Sequence, residues 1–249
     1  MKRVVQDWRA RIGVLQPNPN LTLTCEWAEL MPGGITVSEA LMGLPSVTAE
    51  NLLEMRKSAV AEAKKLSDAM MDIIVFACTS GSFVGGPGYD EDIIKELETA
   101  VGIPALTSST CIRTACADLG VKSMALIGPY TKDIFDTEIK FFKENGIDTL
   151  YSKSLELFEI KDYMRLHEHP YMYYRMAKEA YRQAPDVDVI FITCLCSPSS
   201  KVINTLEMET GKPVISSCLA TLYGVLKKLG INEPIEELGR LGKMLGSGS

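Results

Sequence analysis

The sequence predicts a doubly wound α/β fold built as two similar halves. Short apolar runs alternate with longer amphipathic stretches, which is the signature of strands and covering helices in a parallel sheet. The order of these runs repeats at about half the chain length. Two cysteines, Cys78 and Cys194, close matching runs in the two halves.

The elements follow in order. Ile12-Gly13-Val14-Leu15 reads as a buried strand ending in the turn residues Pro17-Asn18-Pro19-Asn20. Trp27 is placed at the start of a helix, as a core residue. Thr48 caps a helix through Leu52, Leu53, Met55 and Val60 towards Ala69, with Asn51 three residues after the cap. The run 72–77 is a second strand, and a helix spans 90–97. Gly102-Ile103-Pro104 opens a short strand over 105–108, and a helix follows over 110–119. The second half repeats the scheme. Strands fall at 124–127, 189–193 and 214–217, the last opened by Gly211-Lys212-Pro213. Helices fall at 132–142, 171–184, 199–210 and 219–229. The two Ser-Ser pairs, Ser108-Ser109 and Ser216-Ser217, are expected to cap helices.

Aligned on the cysteines, Asp72-Ile-Ile-Val-Phe-Ala-Cys78 matches Asp188-Val-Ile-Phe-Ile-Thr-Cys194 in length, polarity and endpoint. The later helices of each half close on Leu119-Gly120-Val121 and Leu229-Gly230-Ile231. The halves are therefore drawn at 10–120 and 121–232, related by a pseudo-twofold axis. Gly246-Ser247-Gly248-Ser249 is set aside as a linker-like tail. Each half is expected to be a Rossmann- or flavodoxin-like parallel sheet flanked by helices. Ligands bind beyond the carboxyl ends of such strands, so both cysteines should face one cleft between the halves.

Composition narrows the functional classes. The 249 residues are 46% hydrophobic and 23% charged, with a net charge of −6. No basic cluster stands out, which argues against nucleic acid. No apolar run approaches the roughly 20 residues of a membrane span, and residues 1–8 lack the apolar core of a signal peptide. A cytoplasmic protein is expected. Seven cysteines in no disulfide ladder fit a reducing compartment. Cys25, Cys111, Cys116 and Cys218 are assigned to packing, Cys218 near the cleft.

Two thiols on opposite walls permit two reactions without metal or cofactor. One thiolate removes a proton from carbon and the opposite thiol returns one, inverting the centre. Alternatively, one thiolate adds to a polarised double bond and the other thiol protonates the carbanion, so that rotation and elimination complete a cis–trans isomerisation. Cys78 leads into the hydroxyl-rich turn Thr79-Ser80-Gly81-Ser82. Cys194 leads into Leu195-Cys196-Ser197-Pro198-Ser199, where a helix is expected to start. Such turns offer free amides to a carboxylate. His167-Glu168-His169 lacks a third ligand and reads as a surface loop, so no metal is expected. Gly85-Gly86-Pro87-Gly88 lacks a P-loop ending and reads as a turn, or as a lid over 83–92.

From Ile12 to about Ile231 the chain resembles the aspartate/glutamate racemase superfamily, and within it the maleate cis–trans isomerases, with the arylmalonate decarboxylases as relatives. The likeness rests on Ala77-Cys78-Thr79-Ser80-Gly81-Ser82, Ile192-Thr193-Cys194, Pro17-Asn18-Pro19-Asn20 and Gly128-Pro129-Tyr130. It implies Cys78 as nucleophile and Cys194 as proton donor. It also implies Thr79 and Ser80 on one carboxylate and Asn20 and Tyr130 on the other, with Leu195 and Cys196 beside them. The decarboxylases keep only the second cysteine, and this chain has both. It departs from the pattern at Asp162-Tyr163, where an Asp-Asn pair is usual, and after Cys194, where an Arg is usual. The carboxylate pocket is therefore expected to differ. The resemblance implies a small-carboxylate substrate and a homo-oligomer, dimer or tetramer. A racemase of an amino acid or hydantoin, an arylmalonate-type decarboxylase and a small-acid-binding sensor are the alternatives.

Overall fold

A computed structural model describes residues 9–247. The readings made on residues 1–8 and on Gly248-Ser249 lie outside the described residues. The first half runs β1 (Ala10–Gln16), α1 (Leu21–Leu30), β2 (Ile35–Leu41), α2 (Ala49–Ser67), β3 (Ile73–Phe76), α3 (Thr79–Phe83), α4 (Tyr89–Val101), β4 (Ala105–Thr107) and α5 (Ser108–Asp118). The second runs β5 (Ser123–Gly128), α6 (Lys132–Glu144), β6 (Asp148–Ser154), α7 (Ile160–Met164), α8 (Pro170–Gln183), β7 (Val189–Ile192), α9 (Ile203–Thr210), β8 (Val214–Ser216) and α10 (Ser217–Lys228). A last helix, α11 (Arg240–Gly246), follows.

Each half holds one four-stranded parallel sheet. The orders are β2-β1-β3-β4 and β6-β5-β7-β8, the same arrangement twice. The central strands β3 and β7 are apolar and buried at every position, as their uninterrupted runs require. The repeated aspartates have matching structural work. Asp72 accepts the Arg11 N–H at 2.7 Å, and Asp188 accepts the Lys122 and Ser123 N–H groups at 2.9 and 2.8 Å. Each ties the start of its sheet's third strand to the first. The halves meet partly through α5 and α10. A Cβ on Gly224 would lie 2.7 Å from Cys111 Sγ, so only glycine permits this helix approach.

Several expectations need correction. The edge strands β2 and β6 were not anticipated; their residues are mostly half-buried or exposed, so they form no apolar run. Trp27 lies well inside α1, not at its start, although it is buried and donates from Nε1 to Cys218 O at 3.3 Å. Thr48 caps α2 as expected, through Asn51 N at 3.3 Å. The cap of α5 is Thr107, not Ser108, while Ser216 caps α10. Helix α9 begins at Ile203, four residues after the expected start. Gly246 ends α11 and Ser247 caps it, so the set-aside tail begins inside a helix. Cys25 is exposed and does not pack, whereas Cys111, Cys116 and Cys218 are buried. Residues 83–92 form no lid over the cleft. Phe83 is buried at the end of α3, the glycines turn the chain, and Tyr89 already belongs to α4.

Candidate active site

The turns after β1, β3, β5 and β7 converge. These are the two central strands of each sheet, and their carboxyl ends line one cavity with about 450 Å³ of empty space, part of it open to solvent. Asn20, Cys78, Thr79, Ser80, Tyr130, Cys194, Leu195 and Cys196 all line it. The sequence thus brought every candidate residue to one place. It missed Leu44 and Val47, from the β2–α2 connection, and Ile160, Tyr163 and Met164, from α7. The α7 trio is spaced i, i+3, i+4, a signal available in the sequence but short. Tyr163 is the residue that stands where the usual Asn was lacking. No lysine, arginine or histidine lines the cavity among the described residues. Any carboxylate there must be held by neutral donors.

The turns after the two cysteines differ from expectation in opposite senses. Cys78 does not open a loop; it is the N-cap of the short helix α3, with an extended backbone (φ −145°). Its Sγ accepts the Gly81 N–H at 3.3 Å and lies 3.8 Å from Ser80 Oγ. Burial nevertheless dominates and pushes the Cys78 thiol up to about 12, against the Gly81 and Ser80 donors and with the help of Cys194. Cys194 does not open a helix. It has a left-handed backbone, φ +77°, which a residue with a Cβ adopts only under constraint. Burial pushes its thiol up too, but donors from Cys196 S–H, Cys196 N–H and Tyr130 O–H outweigh burial and hold its pKa below the usual thiol value. The Cys196 N–H lies 3.5 Å from Cys194 Sγ. Cys196 in turn is pushed well up, first by donating to Cys194 and then by burial. The facing thiols are therefore unlike: Cys194 is made easier to ionise, and Cys78 and Cys196 harder.

A direct check follows. Cys196→Ala removes the S–H donor and keeps the N–H. The Cys194 titration, followed as thiolate absorbance against pH, should move to higher pH. An unmoved midpoint would show that Cys196 S–H does not hold the charge.

The remaining polar groups are available to a ligand. Thr79 Oγ1 is buried without a hydrogen-bond partner. Asn20 spends its side-chain oxygen on the Leu23 N–H at 3.1 Å, capping α1, so its NH2 is the group left for a carboxylate. Ser154 Oγ bonds the Tyr130 carbonyl and fixes that turn. Burial first, and then Cys194, Glu138, Cys78 and Tyr163, push the Tyr130 phenol well up, so it stays a donor. Away from the cavity, His167 Nδ1 meets Met164 O at 2.8 Å and His169 Nε2 lies 3.9 Å from Glu168, both rings exposed. Among the described residues no cluster of three metal-ligating side chains occurs.

Two parallel lobes carry a pair of buried thiols on one cavity, and matches to maleate isomerases and an arylmalonate decarboxylase place the chain in the aspartate/glutamate racemase superfamily. Residues 12–242 match the arylmalonate decarboxylase family, and the chain belongs to it. It is 28% identical to the maleate isomerase of Geobacillus stearothermophilus, over 93% of this chain and 96% of that one. It is 26% identical to the arylmalonate decarboxylase of Bordetella bronchiseptica, over 88% and 90% of the two chains. A variant of the maleate isomerase Iso from Pseudomonas putida S16, solved with maleate, superimposes with a TM-score of 0.87 at 25% identity, over 94% of this chain and 98% of that one. The chain is accordingly an isomerase. No described helix is long and apolar enough to cross a membrane.

Proposed function

We propose that the protein isomerises a small cis-dicarboxylate, maleate to fumarate, by reversible addition of the Cys78 sulfur. The observation that carries this reading is the pair of unlike thiols on one cavity that no lysine, arginine or histidine lines among the described residues. Catalysis starts when a proton passes from Cys78 to Cys194, giving Cys78 thiolate and Cys194 thiol. Cys78 Sγ then forms a C–S bond to one alkene carbon, and the π pair moves onto the neighbouring carbon and its carboxylate. Cys194 S–H protonates that carbon. Rotation about the new single bond brings the carboxylates trans. Cys194 thiolate takes the proton back, the C–S bond breaks, and Cys78 leaves as thiolate. Thr79 and Ser80 hold one carboxylate; the Asn20 NH2 and the Tyr130 hydroxyl hold the other.

Maleate incubated with the protein should give fumarate without added cofactor. Thr79→Val removes the unpartnered hydroxyl and should raise KM about tenfold with a smaller change in kcat, as loss of one hydrogen bond to a charged group does. Unchanged KM would remove Thr79 from the carboxylate site.

The opposite pKa shifts of the two thiols favour a second reading. Cys194, made easier to ionise, facing Cys78, made harder to ionise, offers a base and an acid for inverting an α-carbon. Solvent deuterium entering the α-position of an amino acid or hydantoin, with no fumarate from maleate, would select that racemase over the isomerase.

A further inference from the structure

Glu138 lies on α6 directly behind the site, fully buried, and plays no part in the reaction written above. Its Oε1 accepts the Thr193 hydroxyl at 2.5 Å, while its Oε2 is buried without a partner. Thr193 is also held by its N–H to Ile127 O at 2.8 Å and by the Ser197 hydroxyl on its carbonyl at 2.7 Å. Its methyl group fills the space over Gly128, where a Cβ would come within 2.2 Å of it. Every polar group of Thr193 is thus fixed, and the next residue is Cys194 with its left-handed backbone.

The internal repeat supplies a comparison within the same chain. Ala77 stands before Cys78 where Thr193 stands before Cys194. Alanine has no hydroxyl to hold, and Cys78 keeps an extended backbone. The carboxyl itself is duplicated: Glu26 follows Pro17 by as many residues as Glu138 follows Pro129. Glu26, however, crosses to the other half and accepts the Ser199 and Ser200 N–H groups, each at 2.7 Å. Only the second half joins a carboxyl to the residue before its cysteine.

We propose that Glu138 is a positioning residue: through the Thr193 hydroxyl it holds Cys194 in the left-handed conformation that turns its sulfur onto the Cys196 N–H, and so makes the second thiol unlike the first. Burial raises the Glu138 pKa well above the usual carboxyl value, against the Thr193 bond. A neutral acid suits the position, because an anion there would oppose charge on Cys194. The inference rests on Cys194 being a reacting thiol, but its test needs no substrate and so stands apart from the identity of that substrate.

The test is the rate of iodoacetamide alkylation at Cys194 and at Cys78, read separately by peptide mass spectrometry at one pH. Thr193→Val keeps the shape and removes the hydroxyl. It should slow Cys194 about tenfold, the effect of losing a thiolate-favouring bond, while Cys78 stays within about twofold. Glu138→Met should do the same, and stands in if Thr193→Val does not fold. Thr193→Ser and Glu138→Gln, which keep the hydroxyl and a neutral acceptor, should stay close to the unmodified protein. Alkylation of Cys194 at the original rate in Thr193→Val or Glu138→Met, equal slowing of both thiols, or Glu138→Gln as slow as Glu138→Met would each overturn the proposal.

Discussion

Replacing Cys78 by serine is expected to lower maleate turnover on the order of 10⁴-fold or more while leaving the fold intact. The side chain is nearly isosteric and sits 5% exposed at the start of α3, so little packing changes. What changes is the acid. Even the Cys78 thiol is pushed up to about 12 by burial. A serine hydroxyl in the same place is a far weaker acid than a thiol, so handing its proton to Cys194 becomes much harder. KM should move by no more than a few-fold, because the donors assigned to the carboxylates are untouched. Initial rates of fumarate formation over a range of maleate concentrations separate the two constants. Near-normal kcat would remove the covalent route.

The second large effect is expected at Cys194. Cys194→Ala should cost about 10²–10⁴-fold in turnover, the range for a lost general acid and base. Its effect on Cys78 runs the other way. Cys194 is one of the groups that raise the Cys78 pKa. With that sulfur gone, one cause of the raised Cys78 pKa is removed, and water must take the Cys78 proton and supply one to the carbanion in place of Cys194. The variant should therefore form the C–S bond slowly and lack the base that removes the carbon proton again. Loss of Cys196 is milder, because the backbone N–H of residue 196 still faces Cys194 Sγ.

The strands that carry the site were legible in the sequence for a physical reason. β1, β3, β5 and β7 are central strands with helices on both sides, and a parallel strand buried on both faces must be an unbroken apolar run. The edge strands β2 and β6 have no such requirement. Thr36, Ser38 and Glu39 in one, and Asp148, Ser152 and Lys153 in the other, hide them among turn residues. The cavity was legible because its residues sit at the ends of the readable strands. Leu44, Val47 and Tyr163 were not, since they reach the cleft from a connection and a five-residue helix.

The difference between the two thiols was least legible. Matched runs suggest matched cysteines, and both are followed by polar turns. The fold makes them unlike. Cys78 has two weak donors in a buried setting, while the left-handed backbone at Cys194 collects Cys196 and Tyr130 onto one sulfur. A positive φ at a cysteine has no sequence signature. The repeat held one clue, Thr193 in the place of Ala77, which acquires meaning only once Glu138 is seen against it.

The central claim is that Cys78 bonds to the substrate and Cys194 handles the proton. Peptide mass spectrometry of the Cys194→Ala variant after incubation with maleate tests it most directly. The account predicts a mass gain of one maleate on the peptide carrying Cys78, and none on the peptide carrying Cys196. An unmodified Cys78 peptide in a preparation whose parent protein forms fumarate would contradict it.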